Sequence, residues 1–319
     1  MTARPYRASR RRCAAMLAGV LAMLAAGCTS GAGTGPQPAA SAAVVVGSFN
    51  FDESALVAEI YAQALEQAGI PVRRELRLGP RELVQPALRE GLVDLVPEYL
   101  GSALVAADPA AAGPGIDLRD RRAVLAALRN VLAPSRLTVL QPSSAEDQNA
   151  FTVTRGTARQ YRLRTLTDLA AVAPQLVLGG PGECPRRPYC LAGLERVYGI
   201  RVGRFVALDD AGQRATALAE GLIDIAVSFT TSGQLATGTA VALVDDRQLQ
   251  PDESVTPVLS RRAVERYGSR LTGTLDAVSA ALDQHGLSFL NWRVSIAGKD
   301  IPTEAHNWLQ RHPVPATAR

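Results

Sequence analysis

Two segments of this chain repeat each other without a gap at an offset of 130 residues. The first spans residues 78–99 (LGPRELVQPALREGLVDLVPEY) and the second spans residues 208–229 (LDDAGQRATALAEGLIDIAVSF). Each predicts a helix, a glycine that ends it and a short apolar strand, after which comes an aromatic residue, Tyr99 or Phe229. A period this long is not that of a solenoid, so we expect two related α/β lobes.

The patterns around the repeat alternate between strand and helix. In the first lobe they predict strands at 44–47, 72–78 and 92–96, and helices at 53–68, 80–90 and 119–132, the last capped by Asp117. A strand at 256–259 and helices at 261–266, 271–284, 287–296 and 303–311 follow the second lobe. Such alternation predicts a mostly parallel sheet flanked by helices in each lobe. Ligands of such sheets bind beyond the carboxyl ends of the strands, so we expect a cleft between the lobes.

The first 43 residues predict export and membrane attachment. An arginine-rich start is followed by an apolar run at 13–26, which is too short to span a bilayer comfortably. The run ends in LAAGC at 24–28, which resembles a bacterial lipobox. We expect a lipoprotein signal peptide at 1–27, a lipid on Cys28 and a flexible Gly/Ala/Ser/Pro-rich tether at 28–43. A plain signal peptide, and export by the twin-arginine route, are the alternatives.

Charge and motif content exclude several functions. The formal net charge of +4 becomes −1 without the five arginines of the leader, so nothing indicates nucleic-acid binding. The three histidines lie near the carboxyl terminus, and no nucleophile elbow, dinucleotide-binding glycine motif or Walker loop occurs. We therefore expect neither an enzyme nor a bound cofactor. Asp94 and Asp224, which are equivalent in the repeat, are interpreted as structural residues that bond turn backbone.

Two cysteines remain for the folded domain. Cys184 and Cys190 flank the segment PRRPY. An even pair in an exported protein predicts a disulfide. A metal site is the alternative, but no histidine or second cysteine pair lies nearby to complete zinc ligation. A disulfide here would fix the loop that carries Arg186, Arg187 and Tyr189.

Five spaced motifs resemble one family. They are VGSFNFDE (46–53) with AEIYAQ (58–63), DLVPEYLG (94–101), GLERVYG (193–199), FTTSGQ (229–234), and the LN of 290–291 with GKD at 298–300. In this order they resemble the osmoprotectant (glycine betaine, carnitine, choline) substrate-binding proteins of ABC transporters. The resemblance covers about residues 44–311 and implies the type II periplasmic-binding-protein fold. In that fold the chain crosses twice between lobes, which implies lobe I at 44–147 plus 246–319 and lobe II at 148–245.

The resemblance also implies a function. It implies an extracytoplasmic, lipid-anchored, monomeric receptor that captures a quaternary-ammonium or zwitterionic osmoprotectant and serves an ABC permease and its ATPase. Several betaine-binding relatives carry tyrosines at the positions of Asn149 and Leu191, which leaves Tyr99 and Phe229 as the expected aromatic cage. A larger, ergothioneine-like zwitterion, bound by a sensor or scaffold without transport, is the alternative. The residues that the resemblance places on or beside the ligand are Ser48, Asn50, Tyr99, Asn149, Arg187, Phe229 and Thr230.

Overall fold

The structure is a computed structural model that describes residues 43–110 and 115–314. The predicted signal peptide, Cys28 and nearly all of the tether lie outside these residues. The strands are β1 (Val44–Gly47), β2 (Val72–Glu75), β3 (Leu95–Tyr99), β4 (Leu137–Val139), β5 (Asn149–Thr154), β6 (Val177–Gly180), β7 (Arg204–Ala207), β8 (Ile225–Phe229), β9 (Ala240–Ala242) and β10 (Val255–Ser260). The helices are α1 (Asp52–Gln67), α2 (Arg81–Arg89), α3 (Leu100–Ala107), α4 (Arg121–Leu132), α5 (Arg155–Tyr161), α6 (Leu166–Ala170), α7 (Leu191–Tyr198), α8 (Ala211–Ala219), α9 (Gly233–Thr237), α10 (Arg261–Ala281), α11 (Gln284–Ser295) and α12 (Ile301–Arg311).

The strands form two five-stranded sheets of the same topology. The first sheet has the order β2-β1-β3-β10-β4, and the second has the order β7-β6-β8-β5-β9. In each sheet the first three strands run parallel, while the fourth, β10 or β5, is antiparallel to both its neighbours. Four of the five strands therefore point the same way. The predicted pair of related α/β lobes is confirmed, with one antiparallel strand in each sheet.

The aspartates of the repeat have the same role in both sheets. The Asp94 carboxylate accepts a hydrogen bond from the backbone N–H of Val45 at 3.1 Å, and Asp224 accepts one from Val177 at 2.8 Å. Gly91 and Gly221 precede them with φ of 74° and 71°, a conformation that favours glycine. Both aspartates are therefore structural residues, as predicted, but the backbone that they bond belongs to strands β1 and β6 and not to a turn.

The chain passes between the two sheets twice, from β4 to β5 and from β9 to β10. The last three helices pack with the first sheet: Leu275, Leu287 and Trp308 are buried in the same apolar core as Ile60 of α1. A second core, which includes Phe151, lies around the second sheet. The two crossing segments and the strand ends beside them thus surround the space between two separately packed cores.

Several predicted boundaries were wrong. The strand predicted at 92–96 lies at Leu95–Tyr99, because residues 91–93 form the turn that ends α2. Asp120, not Asp117, caps α4, since its carboxylate accepts hydrogen bonds from the N–H groups of Arg122 and Ala123. The two helices predicted at 261–266 and 271–284 form one element, α10, which bends at Gly268 with a φ of 55°. Among the described residues, no helix has the length and apolar character needed to cross a bilayer.

Candidate ligand-binding cleft

A cleft of about 1650 Å³ is lined by residues of both sheets. Its wall includes residues at the carboxyl ends of parallel strands: Phe49–Phe51 after β1, Tyr99 at the end of β3, Pro181 after β6 and Phe229 at the end of β8. This is the edge at which α/β sheets bind ligands. The cleft therefore lies where the repeat predicted it.

Four aromatic rings form one contiguous aromatic cluster in the cleft wall. Phe51 is at its centre, with its ring centroid 5.9 Å from those of Phe49 and Tyr99 and 5.7 Å from that of Phe229. Phe49 and Tyr99 are buried, whereas Phe51 and Phe229 are partly exposed. Since Phe229 belongs to the second sheet, the cluster joins both sides of the cleft. Rings so placed present π faces that attract a cation.

The aromatic cluster is larger than the sequence predicted. Tyr99 and Phe229 were the expected cage, and both line the cleft. Phe49 and Phe51 belong to the VGSFNFDE motif, yet neither was predicted to be part of the cage. Tyr189 adds a further, buried aromatic side chain to the cleft wall.

Of the arginines that line the cleft, Arg81 and Arg187 lie close to each other. The Arg81 guanidinium lies 5.0 Å from the Phe49 ring centroid and donates to Glu98 at 3.0 and 3.1 Å. Its side chain is only 12% exposed. Arg187, from the second sheet's side, donates to Glu82 of α2 at 2.8 Å. Burial lowers the pKa of Arg187, and the nearby charge of Arg81 lowers it further. Paired guanidinium groups suit the binding of a carboxylate.

Arg187 and Tyr189 lie on a constrained loop. A disulfide joins Cys184 to Cys190, whose Cα atoms are 5.2 Å apart. The carbonyl oxygen of Tyr189 accepts hydrogen bonds from the side-chain amides of Asn149, at 3.2 Å, and Gln250, at 3.0 Å. Asn149 thus lines the cleft and also holds the loop in place.

A buried polar network lies behind the aromatic cluster. The Tyr99 hydroxyl donates to Glu53 at 2.7 Å, and the hydroxyl of Thr231 lies 2.6 Å from Glu53 and 2.5 Å from Asp147. The side-chain amide of Asn291 also donates to Glu53. Burial raises the pKa of Tyr99 well above its usual range, and the negative charge of Glu53 raises it further. Tyr99 is therefore a neutral hydrogen-bond donor whose ring is fixed from behind.

Two predicted ligand residues lie outside the cleft wall. Ser48 is fully buried; its hydroxyl donates to the Phe49 carbonyl and accepts from the Arg77 N–H, so it shapes the turn that presents Phe49. Thr230 is exposed, and its hydroxyl accepts from the Gln148 N–H. The other predicted residues line the cleft: Asn50, Tyr99, Asn149, Arg187 and Phe229. Among the described residues, no group of three acidic, histidine or cysteine side chains could hold a metal ion.

The network and Arg81 were not found from the sequence. Glu53 and Asn291 are 238 residues apart, and Glu53 and Thr231 are 178 apart. Each of these residues lies within a motif that carries the resemblance, which indicated that the motif matters. Nothing in the motifs indicated that the three side chains contact one another. Arg81 is in the repeat, but its counterpart is Ala211, so the repeat gave no indication of a role.

The chain is similar to known solute-binding proteins. It is 27% identical over 281 residues to the glycine betaine-binding protein YehZ of Escherichia coli (strain K12), covering 85% of this chain and 91% of YehZ. It is 22% identical over 273 residues to the carnitine transport binding protein OpuCC of Listeria monocytogenes, covering 84% of this chain and 86% of OpuCC.

Solved structures show the same fold. A glycine betaine/carnitine/choline ABC transporter structure superposes with a TM-score of 0.66 at 22% identity, covering 84% of this chain and 98% of the other. Lactococcal OpuAC, in its closed conformation with glycine betaine, gives a TM-score of 0.63 at 12% identity, with 85% and 96% covered. The family model described as the substrate binding domain of ABC-type glycine betaine transport systems matches residues 42–311. The chain belongs to this family of ABC-transporter substrate-binding proteins.

Proposed function

We propose that this protein captures a quaternary-ammonium zwitterion of the glycine betaine type in the cleft between its two sheets. The observation that supports the proposal is the aromatic cluster of Phe49, Phe51, Tyr99 and Phe229. A quaternary ammonium has no hydrogen to donate, so aromatic faces are its best partners, at about 0.5–2 kcal/mol per contact. A pocket of alkyl groups would offer no comparable attraction to the charge.

The other end of such a ligand carries a carboxylate. Arg81 and Arg187 both line the cleft, and each keeps N–H groups beyond those used for Glu98 and Glu82. A zwitterion can thus place its cation on the aromatic cluster and its carboxylate toward the guanidinium groups. Choline, which lacks the carboxylate, would gain only the first of these interactions.

A bulkier zwitterion of the ergothioneine type is the second candidate. The cleft volume of about 1650 Å³ exceeds the roughly 300–1,000 Å³ of an ordinary small-molecule pocket. Asn149, in the cleft wall, and the nearby Leu191 provide less aromatic surface than tyrosines would. Preference for this ligand over glycine betaine would indicate that the added space is used in binding.

The proposal also covers the protein's transport partners and its attachment to the membrane. It serves an ABC permease and ATPase as a monomer, and a lipid on Cys28 anchors it to the extracytoplasmic face of the membrane. Its lobes are residues 44–147 plus 246–319 and residues 148–245. Cys28→Ala should release the protein to the medium or leave it unprocessed. Unchanged membrane fractionation of that variant would contradict the lipid anchor.

A thermal-shift screen tests the ligand. It would include glycine betaine, proline betaine, carnitine, choline, ergothioneine, amino acids and sugars. A ligand at a hundredfold excess over its Kd stabilises the native state by about 2.7 kcal/mol, which a melting curve detects easily. We expect the betaines to raise the melting temperature. A response to sugars or ordinary amino acids alone would overturn the proposal.

Matched variants locate the binding site. Phe229→Leu keeps an apolar side chain but removes a π face from the cleft, so it should weaken the betaine response. Phe289→Leu makes the same change at a position that is 45% exposed on α11, outside the cleft wall, and should leave the response unchanged. Tyr99→Ala and Tyr161→Ala form a second pair with the same expectation. Equal responses within both pairs would place the ligand elsewhere.

A further inference from the structure

The geometry around Thr231 requires an additional proton. Its hydroxyl oxygen lies 2.6 Å from a Glu53 oxygen and 2.5 Å from an Asp147 oxygen, and all three side chains are buried. A threonine hydroxyl has one hydrogen and can donate it to only one of the two carboxyl groups. The second short contact joins two oxygens without a hydrogen unless a carboxyl group is itself protonated. The Glu53–Asp147 pair therefore holds one proton.

The surrounding donors indicate which carboxyl group carries that proton. Glu53 accepts from the Tyr99 hydroxyl and from the Asn291 amide as well as facing Thr231, so donors already occupy both of its oxygens. Asp147 faces the Thr231 hydroxyl and accepts a hydrogen bond from the Thr231 backbone N–H, at 3.1 Å. Burial raises the pKa of Asp147 well above its usual range, and the charge of Glu53 raises it further. Asp147 is thus the protonated member.

Within the described part of the chain, the side chains that hydrogen-bond to the pair include no cation. Tyr99 from β3 is neutral, and so are Thr231, which precedes α9, and Asn291 from α11. Arg81 from α2 is the nearby guanidinium whose charge acts on Tyr99, and it is already paired with Glu98. On the crossing segment before β10, Glu253 contacts Asp147 through its backbone carbonyl. A ligand cation on the aromatic cluster would therefore be the additional positive charge beside the pair.

We propose that Asp147 is the counter-ion of the bound ligand, and that a cation entering the aromatic cluster expels the proton shared by Glu53 and Asp147. The proposal rests on the proposed function, because it needs a cation at the aromatic cluster. The O–H bond of the Asp147 carboxyl breaks, its electron pair stays on the carboxylate, and the proton leaves through the cleft, which Asp147 lines, to the buffer. The ligand itself is unchanged.

This exchange makes Asp147 a determinant of charge selectivity. Before binding, the pair carries one negative charge, so the empty site avoids the cost of two adjacent buried carboxylates. A cationic ligand compensates the second negative charge, whereas a neutral molecule of the same shape does not. Binding is then linked to pH: affinity for the cation rises as pH rises, and the proton is released in the same step.

Calorimetry measures the released proton directly. Titration with glycine betaine, choline and carnitine in phosphate and in Tris, which differ in ionisation enthalpy, gives the number of protons released for each ligand bound. We expect about one proton per ligand and a slope of about one in the logarithm of the affinity against pH. Asp147→Asn should abolish the release and flatten the slope. Glu265→Gln, which changes an exposed carboxylate of α10, should alter neither.

The outcomes separate the two proposals. Quaternary-ammonium binding with the same heat in both buffers would overturn the proton exchange and leave the proposed function intact. Failure of all three ligands to bind the wild-type protein would overturn both. Because the wild-type measurement needs no variant, a folding defect in Asp147→Asn does not prevent the test, and Glu53→Gln provides a second variant that should also abolish the release.

Discussion

Glu253 provides a direct test of how much a buried, ionised carboxylate in the cleft destabilises the folded protein. Its carboxylate lies in the cleft wall with 3% of the residue exposed, where the Ser102 N–H donates to it at 3.1 Å and the Ser102 hydroxyl donates to its other oxygen. Burial raises the pKa of Glu253 from 4.5 to about 7, against the opposing effects of Ser102 and Arg81. Glu253→Gln keeps the shape but does not titrate; its amide oxygen can accept from the Ser102 N–H, and its amide nitrogen can donate to the Ser102 hydroxyl, which reverses that one hydrogen bond.

The sign of the effect follows from proton binding. Between the two pKa values the folded protein holds the Glu253 proton and the unfolded chain does not, so this group's contribution to stability falls as pH rises from 4.5 to about 7. A tenfold change in an ionisation constant corresponds to about 1.4 kcal/mol. Above pH 7, where Glu253 is ionised in the folded protein, its burial therefore lowers the free energy of unfolding by about 3 kcal/mol. Glu253→Gln should therefore be more stable relative to wild type at about pH 8 than at about pH 5, by up to about 3 kcal/mol.

Urea denaturation of both proteins at the two pH values measures this difference. Asp147 and the other titrating groups are common to both proteins, so the comparison isolates Glu253. Glu220→Gln, an exposed change on the outside of the repeat, should show no such pH-dependent gain. Parallel curves of stability against pH for wild type and Glu253→Gln would refute the reasoning, because they would mean that Glu253 ionises in the folded protein as it does in water.

Two further predictions concern the loop and the repeat. Non-reducing mass spectrometry should find Cys184 linked to Cys190. Replacing both cysteines with serine should lower the free energy of unfolding by about 2 kcal/mol, because the unfolded chain gains freedom. The same change should weaken betaine binding, because Arg187 lies on the loop that the disulfide closes. Two free thiols in protein from an oxidising compartment would contradict the linkage. Asp94→Ala should destabilise more than Asp224→Ala, by about 1–2 kcal/mol in urea unfolding, since Asp94 also accepts a hydroxyl and a guanidinium hydrogen bond. Equal losses would show that those added bonds contribute nothing.

The sequence was most informative where structure is local and repeated. The repeat predicted a helix, a glycine turn and a strand in both lobes, because the apolar spacing and the turn residues are fixed by each segment's own packing. It misplaced the strand that ends at Tyr99, since a leucine and a valine after Gly91 suit a turn or a strand equally well. The turn is selected by backbone bonds from residues 92 and 93 to the Ala87 carbonyl.

The site was harder to predict because its contacts are not local. Ser48 and Phe49 are adjacent, yet only Phe49 faces the cleft, since the Arg77 N–H from a distant segment bonds the Ser48 hydroxyl. The association of Glu53, Asp147 and Thr231 depends on how two lobes and a crossing segment meet. A single sequence does not indicate which side chains come into contact there. The resemblance could suggest Tyr99 and Phe229 as ligand-binding residues, because each lies within a short, contiguous motif.

The central claim is that the aromatic cluster recognises positive charge and not merely a bulky apolar group. Titration calorimetry with glycine betaine and with 3,3-dimethylbutanoate, its neutral-carbon isostere, tests this most directly because the two ligands share their shape and their carboxylate. With about 0.5–2 kcal/mol for each cation–π contact and at least two rings facing the ligand, we expect glycine betaine to bind at least about fivefold more tightly. Equal affinity for the two ligands would contradict the account.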